Sequence, residues 1–548
     1  MRGWALSGRR LLSDTALALA VTVVLALGLY AGTLAYPLVY DSITWFSADN
    51  LRALGDHASP DRFVSRKVTY WLHRLLEGRL DLFRLAHIAL HAFTACLAFL
   101  LLRRLGPLAL PIPPSGSPRP AFWTALAAAM LFTLHPVSVY AVVDPGQMEL
   151  VLATLFGVAM LLAYLEGLER PSRGLLLVSL VLYLLAVLSK ENVIALPAVA
   201  LAMTLLVRRP SWALVRQLAP WYGLLGLVAI WILVGELQQS HPVSEALRPA
   251  PGEEHVRLRS MVTQGWLFFR YLFLWLVPYV GWMSIDVQYP LAPGALSWPE
   301  TAGFVGFWLY PIAAGWLLLR GGRRGLVGFG LLWPWLLFLP ELTATRITEA
   351  FVLYRSYPWM LGPLVALVAA AAPMLGRSGG PLLCVACIGL GALTHERLAT
   401  FRLAFTVWDD AVRKNQAHER RVVGAHRAYL NRGQALLQLE RMDAALADFD
   451  RALALRPGLA YAHLNRGLAY IRLRRYPEAL VAFDEGLAHA AEMPPRARAR
   501  AHSNRAGLYL LMGRSNEAIA DLAQAASLDP ARAEYRVNLE RLRAETSR

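Results

Sequence analysis

For most of its first 400 or so residues the chain alternates long apolar runs with short connectors that carry arginine. The first run, LLSDTALALAVTVVLALGLYAGTLAYP, sets the constraint. In a lipid interior every backbone N–H and C=O must find its partner within the protein, and a helix does this inside one segment. About twenty apolar residues are what a hydrocarbon layer of about 30 Å requires. Further runs lie near 82–102, 121–140, 148–166, 174–189, 192–207, 213–235, 301–320, 325–340, 358–375 and 380–395. With the first they predict an all-α, polytopic transmembrane helical bundle of about eleven spans. At 548 residues, 56% hydrophobic and 17% charged, the chain is too long and too apolar for one soluble core.

Charge orients the bundle. The net +16 comes from 54 Lys and Arg against 38 Asp and Glu, and in such a chain basic residues read as cytoplasmic anchors. No basic, aromatic-interleaved stretch suggests a nucleic-acid partner. The basic start MRGWALSGRR reads as the cytoplasmic flank of an uncleaved first span. Arg103/Arg104, Arg170/Arg173, Arg208/Arg209, Arg320/Arg323/Arg324 and Arg377 fall on one side only if the apolar segment 261–282 does not cross. That segment is then interfacial or re-entrant, and an odd number of crossings delivers everything after about residue 395 to the outer face. Cys96, Cys384 and Cys387 all lie in apolar runs and read as packing residues.

The tail is a repeat. AYLNRGQALLQLERMDAALADFDRALALRPG returns as AHLNRGLAYIRLRRYPEALVAFDEGLAHAAE, with Asn431 and Asn465 34 residues apart, the tetratricopeptide period. A third copy begins near HSNRAGLYLLMGRSNEAIADLAQAASLDP. Gly433, Ala435, Gly467 and Ala469 allow close helix pairing, while Pro457 and Pro530 close the second helix of a repeat. HERRVVGAHRA before the repeats and RAEYRVNLERLRAE after them are expected to cap the stack. The domains read as 1–396 transmembrane, 397–423 linker or capping helix, and 424–548 an α-solenoid. Such arrays bind other chains and carry no chemistry of their own.

Polar residues crowd the expected outer boundary. Asp41 follows the first span; Arg62, Arg66 and Lys67 share the next loop; His135 and Asp144 sit in LHPVSVYAVVDPGQMEL; Lys190 and Glu191 interrupt two apolar runs. Charges there are costly unless paired or liganded, so the group describes a site for an anionic lipid headgroup with a base beside it. Plainer readings stand next to this one. Asp41 also suits a water boundary, Lys190–Glu191 a hairpin break, and His135 before Pro136 a helix-end cap. His91 reads as packing. Neither paired histidines nor a carboxylate cluster suggests a metal.

YDSITWFSADN, RFVSRKVTYWLHRL, FRLAHIALHAFTACLAF, LHPVSVYAVVDPGQMELVLATLF, LSKENVIALPAV and EAFVLYRSYPWM, followed by the repeats, resemble in their order the transmembrane and tetratricopeptide repeat O-mannosyltransferases and their bacterial relatives. The resemblance implies a C-type membrane glycosyltransferase in a bacterial inner membrane, with periplasmic repeats. It implies transfer of a sugar, with mannose the candidate, from a polyprenyl-phosphate carrier to protein Ser/Thr, with the repeats engaging the acceptor and no cofactor beyond the lipid-linked donor. Asp41 then takes or orients the acceptor proton. Lys190 with Arg62 or Arg66 meets the leaving phosphate, Glu191 holds Lys190, and His135 reaches sugar or phosphate. Arg355 either holds the lipid phosphate or anchors to headgroups, beside Tyr354. Asp286 sits in the segment GWMSIDVQYP, which also resembles the family's, with a surface loop as the plain alternative. The chain departs from the family pattern at Ser42, Tyr140 and Gln147, where Asp144, Glu149 or Asp49 are the available compensations. The competing reading is a non-catalytic membrane-anchored scaffold that displays the repeats.

Overall fold

The computed structural model describes residues 2–39, 45–109, 119–238, 255–373 and 375–546. It is 80% helix, without strands among the described residues. The chain divides into two compact units, one of residues 1–285 and 291–403, the other of residues 286–290 and 404–548.

In the first unit the helices are α1 (Arg2–Tyr30), α2 (Ala48–Asp56), α3 (Phe63–Leu75), α4 (Leu80–Ala109), α5 (Arg119–Leu134), α6 (Met148–Glu169), α7 (Arg173–Ser189), α8 (Leu196–Val207), α9 (Trp212–Gln238), α10 (Val256–Leu276), α11 (Glu300–Leu319), α12 (Gly322–Thr343), α13 (Leu361–Ala371) and α14 (Leu375–Thr400). Every apolar run read from the sequence is helical, but length separates them. Among the described residues seven are long and apolar enough to cross a membrane: Asp14–Ala35, Leu80–Ala109, Pro145–Glu169, Trp212–Ile232, Glu300–Leu319, Gly322–Thr343 and Gly380–Thr400. Ala121–Leu134 and Pro136–Val142, bent by 46°, make an eighth if they count as one. This corrects the expectation of about eleven. α7, α8 and α13 have 17, 12 and 11 residues. At 1.5 Å per residue they reach only about 26, 18 and 17 Å, short of a layer of roughly 30 Å. The window 192–207 had run on through residues 192–195 before α8, and the window 358–375 through residues 358–360 before α13.

The breaks follow from proline chemistry. A residue before proline is pushed out of the α region. His135 (ψ 130°) and Asp144 (ψ 106°) accordingly turn extended, and the helix restarts after each. His135 Nδ1 accepts from Val137 N at 3.2 Å, and Asp144 Oδ1 accepts from Gly146 N at 3.0 Å, each satisfying an amide the break would orphan. α10, which carries most of the 261–282 segment, is not among the seven long apolar helices. It fixes the segment Ala350–Val352 instead: Gln264 Nε2 donates to Ala350 O at 2.7 Å, and Tyr271 OH accepts from Val352 N at 2.7 Å.

One helix crossing depends on glycine. A Cβ on Gly330 would meet Gly362 O and Ala366 N at 2.6 Å, and a Cβ on Gly362 would meet Gly330 O at 2.6 Å. α12 and α13 therefore touch backbone to backbone, a distance that excludes side chains.

The second unit contains α15 (Ala404–Asn415) and three helix pairs: α16 (His426–Gln438) with α17 (Met442–Leu455), α18 (Ala460–Arg472) with α19 (Tyr476–Ala488), and α20 (Pro495–Leu511) with α21 (Ser515–Leu528). α22 (Ala533–Thr546) closes the stack, its Leu539 and Leu542 packing with Ala506, Ala518 and Leu522. At the other end the cap is α15, whereas HERRVVG contributes a short turn, Glu419–Arg421. Phe405 of α15 packs against Leu436, Leu446 and Phe449. Within each pair the turn passes through a left-handed residue: Glu440 (φ 56°), Arg474 (φ 59°) and Gly513 (φ 73°). The next amide bonds back to a carbonyl near the helix end, as Arg441 N to Leu436 O at 2.9 Å, Arg475 N to Tyr470 O at 2.9 Å and Arg514 N to Tyr509 O at 2.8 Å. This is the Schellman closure, and glycine suits its left-handed position best.

Two outcomes follow from these geometries. Gly362→Ala is expected to lower the thermal midpoint of the detergent-solubilised chain clearly, since backbone cannot yield as a side-chain tip does. In the repeats, Gly513→Ala is expected to cost about 1 kcal/mol and Arg474→Gly to gain about 0.5 kcal/mol. Hydrogen exchange of the amides flanking each turn in the full chain reads both changes.

Candidate functional site

Three non-contiguous parts of the first unit end at the same place: the start of α3, the start of α6, and the Lys190–Ala195 break between α7 and α8. Arg62 precedes α3 in a left-handed conformation, φ 50°, which costs a non-glycine residue about 1 kcal/mol or more. Its guanidinium explains why the conformation is tolerated. Nη2 and Nε donate to the two oxygens of Glu191 at 3.0 and 3.2 Å, and Nη1 lies 3.2 Å from Glu149 Oε2. Lys190 Nζ donates to Glu149 Oε1 at 2.5 Å and stands 3.6 Å from Glu191 Oε1. Arg62, Glu149, Lys190 and Glu191 thus form a closed ring of alternating charge, each member facing two of opposite sign.

A second set joins the ring at Asp61. Its carboxylate is 3.6 Å from Arg62 Nε and accepts from Arg66 Nη2 at 2.7 Å, while Arg66 Nη1 is 2.9 Å from His57 Nδ1. Ser65 Oγ, 2.9 Å from Ser189 O, ties α3 to the end of α7. Burial alone would raise the Glu191 carboxyl; Lys190 and Arg62 overcome it and hold it well below the usual carboxylate range. For Arg62 burial pulls the other way, and Glu149 and Glu191 raise the guanidinium above its ordinary value.

The sequence-read residues therefore separate into groups. Arg62, Lys190 and Glu191 come together, and Glu149, read only as a possible support, is a full member of the ring. Arg66 joins through Asp61, which had not been singled out. His135 and Asp144 serve as caps at the proline breaks. His135 is buried, its ring 4.4 Å from that of Trp275, and Asp144 also accepts from Gln147 Nε2 at 3.3 Å. His91 packs, 5.4 Å from the Phe132 ring, with Nδ1 2.6 Å from Tyr357 OH. Arg355 belongs to a different cluster, donating to Glu341 Oε1 at 3.0 Å and Glu349 Oε2 at 2.6 Å, with Arg346 on Glu341 at 2.9 Å. The half-buried Tyr354 adjoins it. Asp41 and Ser42 lie outside the described residues, and the side chain of Asp49 is likewise not described.

Trp45, four residues after Asp41, lines a small cavity together with Phe46, Ser65, Arg66 and Glu149. Its volume of about 20 Å³ holds a single water and no sugar. Arg84, buried in α4, donates to Leu34 O at 3.2 Å and Pro37 O at 3.0 Å and so fixes the chain just before residue 40. An arginine flanked by apolar residues near the start of α4, in FRLAH, was the signal available for it. The charges of Asp61, Arg62, Arg66, Glu149, Lys190 and Glu191 balance three against three. Each cation is already engaged with a carboxylate.

Residues 426–459 and 499–532 each match the tetratricopeptide repeat family. No curated protein matches the chain. Among solved structures, MamA (41-end) from Desulfovibrio magneticus RS-1 is 23% identical over 26% of this chain and 77% of its own, at a TM-score of 0.22. A thermophilic TPR protein of Thermus thermophilus is 22% identical over 30% of this chain and 95% of its own, at 0.20. The Cut9–Hcn1 hetero-tetramer of APC/C is 14% identical over 77% of this chain and 90% of its own, at 0.23. The C-terminal unit carries tetratricopeptide repeats on the strength of the two family matches, and the α18–α19 pair occupies the place between them.

Glu149→Gln leaves both ring cations short of a partner. With ring side chains 13 to 30% exposed, the expected loss is roughly 1–3 kcal/mol, below the 3–5 of a fully buried pair. Because the folded-state pKa of Glu191 lies below that of the unfolded chain, its contribution is complete at neutral pH. It fades as pH drops below the ordinary glutamate value of about 4.3. Thermal unfolding followed from about pH 7 down to about pH 2 is expected to show this decline below about pH 4.3 in the wild type and a shallower one in Glu191→Gln.

Proposed function

We propose that the chain is a membrane-embedded glycosyltransferase that moves a sugar from a polyprenyl-phosphate carrier to a hydroxyl of a protein, with the repeats recruiting the acceptor. The observation that carries this reading is the ring of Arg62, Glu149, Lys190 and Glu191, built from segments as far apart as residues 62 and 191. An arrangement that expensive to desolvate is expected where charge is used. The order of sequence motifs supports the same class.

Position along α6 supports an outward-facing site. Glu149 lies in the first turn of this 22-residue helix and Arg170 follows its end, so the two are separated by about 32 Å, a full bilayer core. Lys190 and Arg173 likewise lie at opposite ends of the shorter α7, about 26 Å apart. The arginine-rich ends face the cytoplasm under the positive-inside rule, and the ring then faces the periplasm.

In the proposed reaction the acceptor hydroxyl oxygen attacks the anomeric carbon. The bond from that carbon to the carrier phosphate breaks, and its electron pair stays on the phosphate oxygen. Asp41 takes the hydroxyl proton in concert, a contribution of about 10²- to 10⁴-fold. Lys190 and Arg62 meet the growing negative charge by trading a glutamate contact for the phosphate. The small cavity beside Arg66 and Glu149 opens in the same exchange, because the carboxylate that moves is part of its wall. Engagement of a protein acceptor rests on the general habit of tetratricopeptide repeats to bind other chains.

Purified protein, supplied with radiolabelled polyprenyl-phosphate sugars and a periplasmic extract, is expected to transfer label to protein. Asp41→Asn is expected to reduce transfer by about 10²-fold or more while the thermal midpoint stays put. Absence of label with every donor tried would instead point to a scaffold.

A further inference from the structure

A groove runs between α7 and α9, at the end of the first unit opposite the ion ring along α7. Its volume is about 630 Å³, inside the ~300–1,000 Å³ span of small-molecule sites. Leu176, Leu180, Trp221 and Leu224 form an apolar floor, and Arg173 and Arg216 stand at the rim. The indole N–H of Trp221 is turned to Ser179 Oγ at 2.9 Å, and its ring stacks on Tyr164 with centroids 4.3 Å apart, so the indole is held from behind with its polar atom turned away from the groove. No carboxylate lines the groove.

The rim arginines differ from their neighbours. Arg104 pairs with Glu166 at 2.7 Å and Arg208 donates to Leu168 O at 3.1 Å. Among the described residues Arg173 and Arg216 make no ion pair, and both are exposed at the mouth of the groove. Two unneutralised guanidiniums at the edge of an apolar trough match an amphiphile with an anionic head and a hydrocarbon tail. We infer that this groove holds one anionic phospholipid of the arginine-side leaflet, its phosphate between Arg173 and Arg216 and one acyl chain along Leu176, Leu180 and Leu224.

The inference rests on the membrane setting of the proposed function and not on the transferase chemistry. The acyl chain gains little by leaving one hydrocarbon environment for another, so the headgroup supplies the preference and the trough supplies the residence. Each basic residue near an anionic surface is worth several-fold in binding, which makes the expected preference over a zwitterionic lipid about ten-fold or more.

The full chain, reconstituted in phosphatidylcholine nanodiscs with a minor fraction of phosphatidylglycerol, is released from the discs and its retained lipid counted by native mass spectrometry. The wild type is expected to keep one phosphatidylglycerol at about ten-fold enrichment, and inorganic phosphate is not expected to displace it. Arg173→Ala with Arg216→Ala should abolish the enrichment. Leu180→Trp should do the same by filling the trough with both arginines intact, and an unchanged thermal midpoint in phosphatidylcholine discs shows that it folds. Equal retention in wild type and both variants overturns the inference, as does displacement by inorganic phosphate, which marks a free-anion site. Release of the chain from cell membranes by alkaline wash without detergent would defeat the membrane setting itself, a result distinct from any lipid count.

Discussion

Alternation of charge is the constraint on which the first unit turns. A lone carboxylate or ammonium among apolar helices is too costly to keep, and a simple pair depends wholly on its partner. Four groups in a ring solve both problems, since Glu149 and Glu191 each see Arg62 and Lys190. The ring also does structural service. It holds together the left-handed entry to α3, the first turn of α6 and the break after α7.

Much of this was legible in the sequence, for reasons that can be stated residue by residue. Long apolar runs rich in Leu and Ala specify helices whatever surrounds them, and the prolines at 136 and 145 write the breaks at His135 and Asp144 directly. The adjacency of Lys190 and Glu191 between apolar neighbours announced that partners existed, but Arg62 was read as a second cation beside Lys190 and not as the partner of Glu191. Glu149 was undervalued because it reads locally as an ordinary acidic residue in a helix first turn. Asp61 and its contact with Arg66 depend on the turn before α3, which no periodicity reports. Among the described residues hydropathy overcounted the helices long enough to cross a membrane, because it measures composition and not where a helix ends. The Arg355 segment was visible, but its partners Glu341 and Glu349 come from chain separations that spacing does not encode.

The repeat unit shows the same economy in a watery setting. The Arg that follows each repeat's Asn bridges two layers of helices: Arg432 holds Asp448 at 2.7 Å and Asp409 at 2.8 Å, and Arg505 holds Asp521 at 2.7 Å and Asp484 at 2.6 Å. Both aspartates of the helix pair lie 16 residues after their arginine. In the middle copy that position is Ala482, and Arg466 turns to Glu485 at 2.6 Å instead, keeping the rung with a different side chain. The repeat period thus preserves an interaction and not a residue, which explains why Asn431, Asn465 and Asn504 were easy to align while the acidic partners were not.

Asp286 gives the second unit an unusual dependence. It is buried and accepts from Arg427 Nη2 at 2.7 Å, while its carbonyl takes Asn415 Nδ2 at 2.6 Å and Gln288 N reaches Asn415 Oδ1 at 2.9 Å. The five residues from 286 to 290 are thus a noncontiguous stave of the C-terminal barrelhead, emerging from the ribosome more than a hundred residues before the helix they clasp. During synthesis that stave must wait, unsatisfied, until Ala404–Asn415 appears. A fragment cut at residue 404 would carry Arg427 and Asn415 with their natural counterparts removed, so excision of the repeats by sequence boundary alone discards a piece of their own interior.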